Sequence, residues 1–177
     1  MRIATCQLPE VHGDVTRALS LMSVYSLEAE RRGADLVCFP ECFLQGYDIR
    51  PEHIAGVAVE LGSPIIDDTR RSLSAVQPVI VFGLIEKAGR VAFNSALALQ
   101  GGRVIAHYRK THLLESEARV FARGSGSPIF EVRGTNVGIN ICHDLSVSES
   151  VESAAASGVR VLACPCNNML PRDVAEE

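Results

Sequence analysis

The sequence predicts an α/β layered sandwich built on mixed sheets. Short apolar, β-branched runs alternate with amphipathic helical stretches along most of the 177 residues, which is the pattern of βα crossovers. Glycine turns at Gly101-Gly102 and Gly134 instead join neighbouring strand-like runs directly, as antiparallel pairs. That mixture excludes a purely parallel, doubly wound sheet. A hydrophobic fraction of 47% and a length within one domain's range give enough material for a core, so residues 1–177 are read as one domain.

Ile3 to Leu8 opens the chain as an apolar strand stopped by Pro9. Asp14 is placed to cap a helix carrying Val15, Ala18, Leu19, Met22 and Leu27 at helical spacing, which ends near Gly33. Asp35 to Phe39 is a second buried strand, closed by Pro40-Glu41, and Cys42 to Pro51 reads as a loop. Helical stretches follow near Glu52–Glu60 and from Asp67 to Val76. Pro78–Ile85, Val91–Leu99 and Val104–Tyr108 are strands, the last two joined by the Gly101-Gly102 turn. Ile129–Val132 and Thr135–Ile141 pair around Gly134, a helix follows Cys142 as far as Ser157, and Arg160–Cys164 is the last strand. The remainder, from Pro165 onward, holds no recognisable core element.

Composition removes several classes of function. A formal charge of −4 offers no basic field for nucleic acid. No apolar run approaches the ~18 residues of a membrane span. The six cysteines lie in buried strand sequence rather than in a disulfide scaffold, so a reduced, cytoplasmic protein is expected. Cys164-Pro165-Cys166 lacks the further ligands of a zinc site, and no metal or other cofactor is expected.

Chemistry concentrates at three strand ends. Val137 to Ile141 is a buried run that stops at Cys142, and Ser146 with Glu149 stands in the spacing of a capping box. Cys142 is thus expected on a strand-to-helix turn, where free amides and the helix dipole favour a thiolate. Glu41 ends an apolar strand, and Lys110 ends Val104–Arg109. Groups at the carboxyl ends of strands converge in layered α/β folds. A carboxylate in an apolar pocket suits removal of a thiol proton, and a fixed ammonium suits stabilisation of an oxyanion.

Phe39-Pro40-Glu41, Tyr108-Arg109-Lys110-Thr111-His112-Leu113 and Gly138-Ile139-Asn140-Ile141-Cys142-His143-Asp144 resemble the three signature segments of the nitrilase superfamily of carbon–nitrogen hydrolases, in that family's order. The resemblance implies an α-β-β-α layered sandwich with mixed sheets. It implies a catalytic triad of Glu41 (base, then acid), Lys110 and Cys142, with the His143 backbone N–H sharing the oxyanion hole with Lys110. Glu117, followed by Phe121 and Gly124, fits the slot of a second glutamate that holds the lysine. Family members continue past the Pro165–Pro171 region with further strands and a helix, so the resemblance also implies a C-terminally truncated domain. They commonly dimerise, and at least a homodimer is expected here, with extra apolar surface to cover. Where the family places an arginine after the cysteine, this chain has Glu152.

The reading is a thiol amidase acting on a small amide, N-carbamoyl amine or nitrile, with amide as the default. A non-catalytic member serving as an interaction or assembly module is the alternative, favoured by Glu152 and the missing end. A redox-sensing thiol protein is a third, and it requires a resolving cysteine, Cys42 or Cys164, near Cys142.

Overall fold

The computed structural model describes residues 1–167. Its elements are β1 (Ile3–Thr5), α1 (Val15–Arg31), β2 (Leu36–Cys38), α2 (Pro51–Val57), α3 (Pro64–Ser72), β3 (Val79–Ala88), β4 (Val91–Gln100), β5 (Arg103–Arg109), β6 (Ile129–Val132), β7 (Thr135–Ile139), α4 (Ser148–Ala156) and β8 (Val161–Ala163). Short 3-10 turns lie at Glu117–Arg119 and Cys142–Ser146. Most of the segment expected to lack core structure after Pro165 lies outside the described residues.

The strands form two sheets. One has the order β1-β2-β3-β4-β5, parallel across β1-β2-β3 and antiparallel across β3-β4-β5; the other has the order β6-β7-β8, antiparallel and then parallel. The mixed topology expected from the two glycine turns is therefore present. Residues alternate across β2 as a pleated strand requires. Val37 joins a core formed with Ala18 and Met22 of α1 and Ile66 of α3, whereas Leu36 and Cys38 face the second sheet. Between the sheets, Val79, Val81, Ala96, Ala98 and Tyr108 meet Phe130, Val137, Ile139 and Ile141. Each such fully buried aliphatic side chain is worth roughly 1.5–3 kcal/mol. Alanines at 96, 98 and 106 let the sheets approach, while phenylalanine and β-branched residues fill the opposite side.

β1 ends at Thr5, short of Leu8, α2 ends at Val57 and α3 at Ser72, and two helix starts also differ from expectation. The α3 helix starts at Pro64, which supplies a preset φ at a first-turn position, and not at Asp67. The capping box at Ser146 does not form. Asp144 reaches back to accept the Ile141 amide at 2.9 Å, tightening residues 142–146 into a 3-10 turn and delaying α4 to Ser148.

The inner face of β1 is open. Ala4, Cys6 and Leu8 pack toward the helices, but Ile3 is 41% exposed and Thr5 and Gln7 also face outward, because the three-stranded sheet covers only β2 to β5.

A buried polar post braces β5, the strand that leads to Lys110. Glu86 is 1% exposed and accepts from Ser95 Oγ at 2.7 Å, from Arg109 Nε and, across 2.7 Å, from His107. Arg109 also stacks 4.0 Å over the Phe93 ring. Burial alone would raise the Glu86 pKa, but the His107, Arg109 and Ser95 hydrogen bonds outweigh it and hold it at about 2, against an ordinary 4.5. A depressed folded-state pKa contributes stability that is present above 4.5 and is lost as pH falls toward 2. For this one group that is roughly 3 kcal/mol. Denaturant unfolding between pH 5 and pH 2 is expected to show that loss, and Glu86→Gln should flatten the dependence.

Candidate active site

Two chain segments bring polar groups to one buried point, and a third sets Cys142 within their electrostatic reach. The first follows β2. Phe39 N–H donates to Val81 O at 2.8 Å and Leu44 N–H to Gly83 O at 3.1 Å, so the segment after Pro40 runs alongside β3. Gly83 is required there: a Cβ would fall 2.3 Å from the Cys42 nitrogen and 2.7 Å from the Glu41 Cα. Gln45, fully buried, accepts from the Ile85 amide at 2.9 Å and donates to the Ile85 carbonyl at 3.0 Å, fixing the turn. Glu41 is thereby held inside the protein at 1% exposure.

The second segment follows β5. Lys110 N–H donates to Asn94 O at 2.8 Å, and the Lys110 carbonyl accepts from Gly124 at 2.9 Å. Gly124 has no room for a Cβ, which would meet the Arg109 carbonyl oxygen at 2.1 Å. Lys110 Nζ donates to Glu41 Oε1 and to Glu117 Oε1, each at 2.8 Å, with all three side chains no more than 1% exposed. Asn94 Nδ2 donates to the same two oxygens, at 2.7 and 3.1 Å. Tyr47 Oη donates to Glu117 Oε1 at 3.1 Å, and the Leu114 amide to its Oε2 at 2.9 Å. Glu117 is therefore anchored on both oxygens. Glu41 Oε2 accepts only the Asn167 amide, at 3.1 Å, among the described residues.

Electrostatics follow from this burial. Desolvation pushes the Glu41 carboxyl above its ordinary range, and Lys110 and Asn94 draw it back only in part. Desolvation would also discharge Lys110, but Glu41 and Glu117 outweigh it and hold the ammonium above the usual lysine value. The arrangement is a charged lysine between two carboxylates, one of them inclined to carry a proton.

The third segment is the turn after β7. Cys142 has φ +44°, the left-handed region that a non-glycine residue adopts at a cost of about 1 kcal/mol or more, and its N–H donates to Pro165 O at 3.0 Å. A nucleophile projected from a strained strand-to-helix turn has this backbone signature. The thiol is half-buried, near Cys166 and within the electrostatic reach of Glu41 and Lys110. The dipole effect expected on it is reversed: Cys166, burial and the Glu41 charge raise its pKa, and Lys110 opposes them only in part. A thiol with a raised pKa reacts as a nucleophile only with a base to take its proton. His143, next on the turn, is half-buried, while Glu149 and Glu152 are exposed on α4.

Two residues of this network carry no role in the sequence reading. Asn94 bridges both glutamates; its signal was a lone amide within the apolar run Val91–Leu99. Asp144, fully buried, joins the lysine and cysteine segments. Its Oδ2 accepts from Tyr108 Oη (2.8 Å) and the Ile141 amide (2.9 Å), and its Oδ1 from Thr111 Oγ1 (3.1 Å) and the His112 amide (2.8 Å). Asp144→Asn would turn an NH₂ group toward donors. We expect a destabilisation of about 3 kcal/mol, measured by urea unfolding. In the folded fraction kcat should fall more than KM changes, because the residue positions other groups.

Comparison with known proteins fits this geometry. The family pattern described as carbon-nitrogen hydrolase matches residues 2–173. The chain belongs to the carbon-nitrogen hydrolase family. It is 30% identical over 177 residues to the "Hydrolase in pqqF 5'region" of Pseudomonas protegens, covering 98% of this chain and 61% of that protein. It is 28% identical over 171 residues to an (R)-stereoselective amidase of a Pseudomonas species, covering 97% of this chain and 62% of the amidase. Among solved structures, a variant amidase of Nesterenkonia sp. AN1 superposes with a TM-score of 0.86 at 25% identity, covering 94% of this chain and 64% of that one. That structure holds the acetamide moiety of fluoroacetamide covalently added at its active-site cysteine. The chain spans about three fifths of the length of these curated carbon-nitrogen hydrolases. Among the described residues no helix is long and apolar enough to cross a membrane.

Proposed function

We propose that this carbon-nitrogen hydrolase is a thiol amidase whose nucleophile is Cys142, acting on a small non-peptide amide. The observation that carries the reading is the buried Glu41–Lys110–Glu117 cluster beside a strained Cys142. Glu41, with its elevated pKa, takes the Sγ proton, and Sγ attacks the amide carbon. Lys110 spends two of its three N–H bonds on carboxylates and directs the third to the developing oxyanion, together with the His143 backbone N–H. The C–N bond breaks as Glu41 returns the proton to the departing nitrogen, and ammonia or an amine leaves. Glu41 then deprotonates a water that attacks the thioester, and Cys142 departs as the thiol. Glu117, anchored through both oxygens, positions Lys110.

N-carbamoyl amines and nitriles use the same nucleophile, so the test is ammonia release from a panel of all three, with acid-quenched mass spectrometry of the protein. An acyl mass on the Cys142 peptide during turnover of one class is expected. An acyl mass elsewhere, or turnover with none on Cys142, would reject the mechanism.

The exposed inner face of β1 favours a second reading, in which the chain is an assembly module, as a homodimer or larger. That reading gains if light scattering detects a stable oligomer while stoichiometric alkylation of Cys142 and amide turnover are both absent.

A further inference from the structure

The Cys164-Pro165-Cys166 segment has no part in hydrolysis, yet it is built into the same strand ladder as Cys142. Strands β7 and β8 pair in parallel with Ile139 opposite Ala163. The ladder continues past both strands: Asn140 N–H donates to Ala163 O at 3.1 Å, and Cys142 N–H to Pro165 O at 3.0 Å. Carrying that register forward by three residues sets Cys142 opposite Cys166. Neighbouring strands lie about 4.8 Å apart, inside the Cα separation of about 4.4–6.8 Å that a disulfide spans. Each thiol lies near enough to shift the other's pKa. Cys166 is further fixed by its carbonyl, which accepts from the Glu41 amide at 3.4 Å, and by its sulfur, 3.4 Å from that of Cys164. Neither sulfur is sealed off, since all three cysteines are partly exposed and Cys164 and Cys166 line a cavity of about 390 Å³ together with Glu41.

We propose that Cys166 is a resolving thiol for Cys142, so that hydrogen peroxide closes the pair into a disulfide that withdraws the nucleophile and a dithiol reopens it. Glu41 takes the Cys142 proton, and the sulfur attacks one peroxide oxygen. An S–O bond forms, the O–O bond breaks and the first water leaves. The Cys166 sulfur then attacks the Cys142 sulfenic sulfur. The S–S bond forms, the S–O bond breaks, and hydroxide leaves with the Cys166 proton as the second water. Two thiols lose two electrons and one peroxide becomes two waters. Without Cys166 the sulfenic acid would advance to sulfinic acid, which thiols do not reduce. Rates depend on how readily each thiol ionises, and neither does so freely here, so the closure is slow and needs excess peroxide.

Only the functional consequence rests on Cys142 being the amidase nucleophile; the disulfide can be read without any substrate. The full chain is treated with hydrogen peroxide, quenched with N-ethylmaleimide, digested with trypsin without reduction and mapped by mass spectrometry. Cleavage at Arg160 separates Cys142 from Cys166. The wild type should yield the two peptides joined, less two hydrogens, and dithiothreitol should restore Cys142 as an alkylatable thiol. Cys164→Ser should still cross-link. Cys166→Ser should lose the cross-link, with Cys142 recovered as sulfinic acid. The proposal is overturned if wild-type Cys142 reaches sulfinic acid as fast as in Cys166→Ser. It is equally overturned if the cross-link survives in Cys166→Ser, or if the only disulfide is Cys164–Cys166 with Cys142 still alkylated. The wild-type map decides even if a variant fails to fold.

Discussion

Cys142→Ala is expected to lower kcat/KM for the best amide by a factor on the order of 10⁴ or more, to the background of the assay. Cys38 and Cys42 are buried, so neither sulfur can take its place in forming the thioester. Glu41→Gln should lose a comparable factor by a different route. The amide carbonyl can still accept from Lys110 and Asn94, so the pocket keeps its shape, but it cannot take the thiol proton. KM should therefore stay near the wild-type value while kcat collapses. Steady-state ammonia release, with circular dichroism to verify folding, distinguishes the two variants from a general loss of structure. Activity retained in Cys142→Ala would end the mechanism. Activity retained in Glu41→Gln would move the base to another residue.

The strand ends were readable because each carries its own signal. Glu41 follows an unbroken apolar strand, Lys110 ends a run of strand alternation, and Cys142 stops a β-branched one. Hairpin glycines at 101, 102 and 134, each with positive φ, made the mixed topology legible as well. What escaped was what depends on distant partners. Asn94 looks like an interruption in β4 until the register of β4 with β5 puts it beside the Lys110 backbone. Asp144 looks like a turn residue, and its ties to Tyr108, Thr111 and His112 span more than thirty positions in the chain. The thiol's pKa was misjudged for the same reason: Cys166, burial and Glu41 raise it, and those neighbours come from distant segments of the chain. Cys166, and not Cys42 or Cys164, is the cysteine that meets Cys142, because the parallel register of β7 with β8 decides the pairing.

Lys110→Ala should produce the largest loss of stability of any single change in the site. It leaves the Glu41 and Glu117 carboxylates, at 1% and 0% exposure, on Asn94 without a cation. Breaking a buried ion pair by removing one partner costs roughly 3–5 kcal/mol, since the remaining charge is stranded in a poor dielectric. Lys110→Met keeps the apolar stem, so the difference between the two variants isolates the cavity from the charge. The sign with pH follows from Glu41. Its folded-state pKa is already above 4.5 with Lys110 present, and removing the ammonium raises it further. A group with a raised folded pKa contributes stability that is full below its unfolded value and lost as pH rises through the folded value. Both variants should therefore regain stability relative to wild type as pH is lowered toward 4.5. The same shift should carry the acid limb of any residual kcat/KM profile to higher pH. Cys142→Ser, which leaves the carboxylates and their counter-ion in place, should keep that limb where the wild type has it. If the stability deficit of the Lys110 variants instead widens as pH is lowered, burial does not raise the Glu41 pKa, and the tuning that suits it to act as the base is lost.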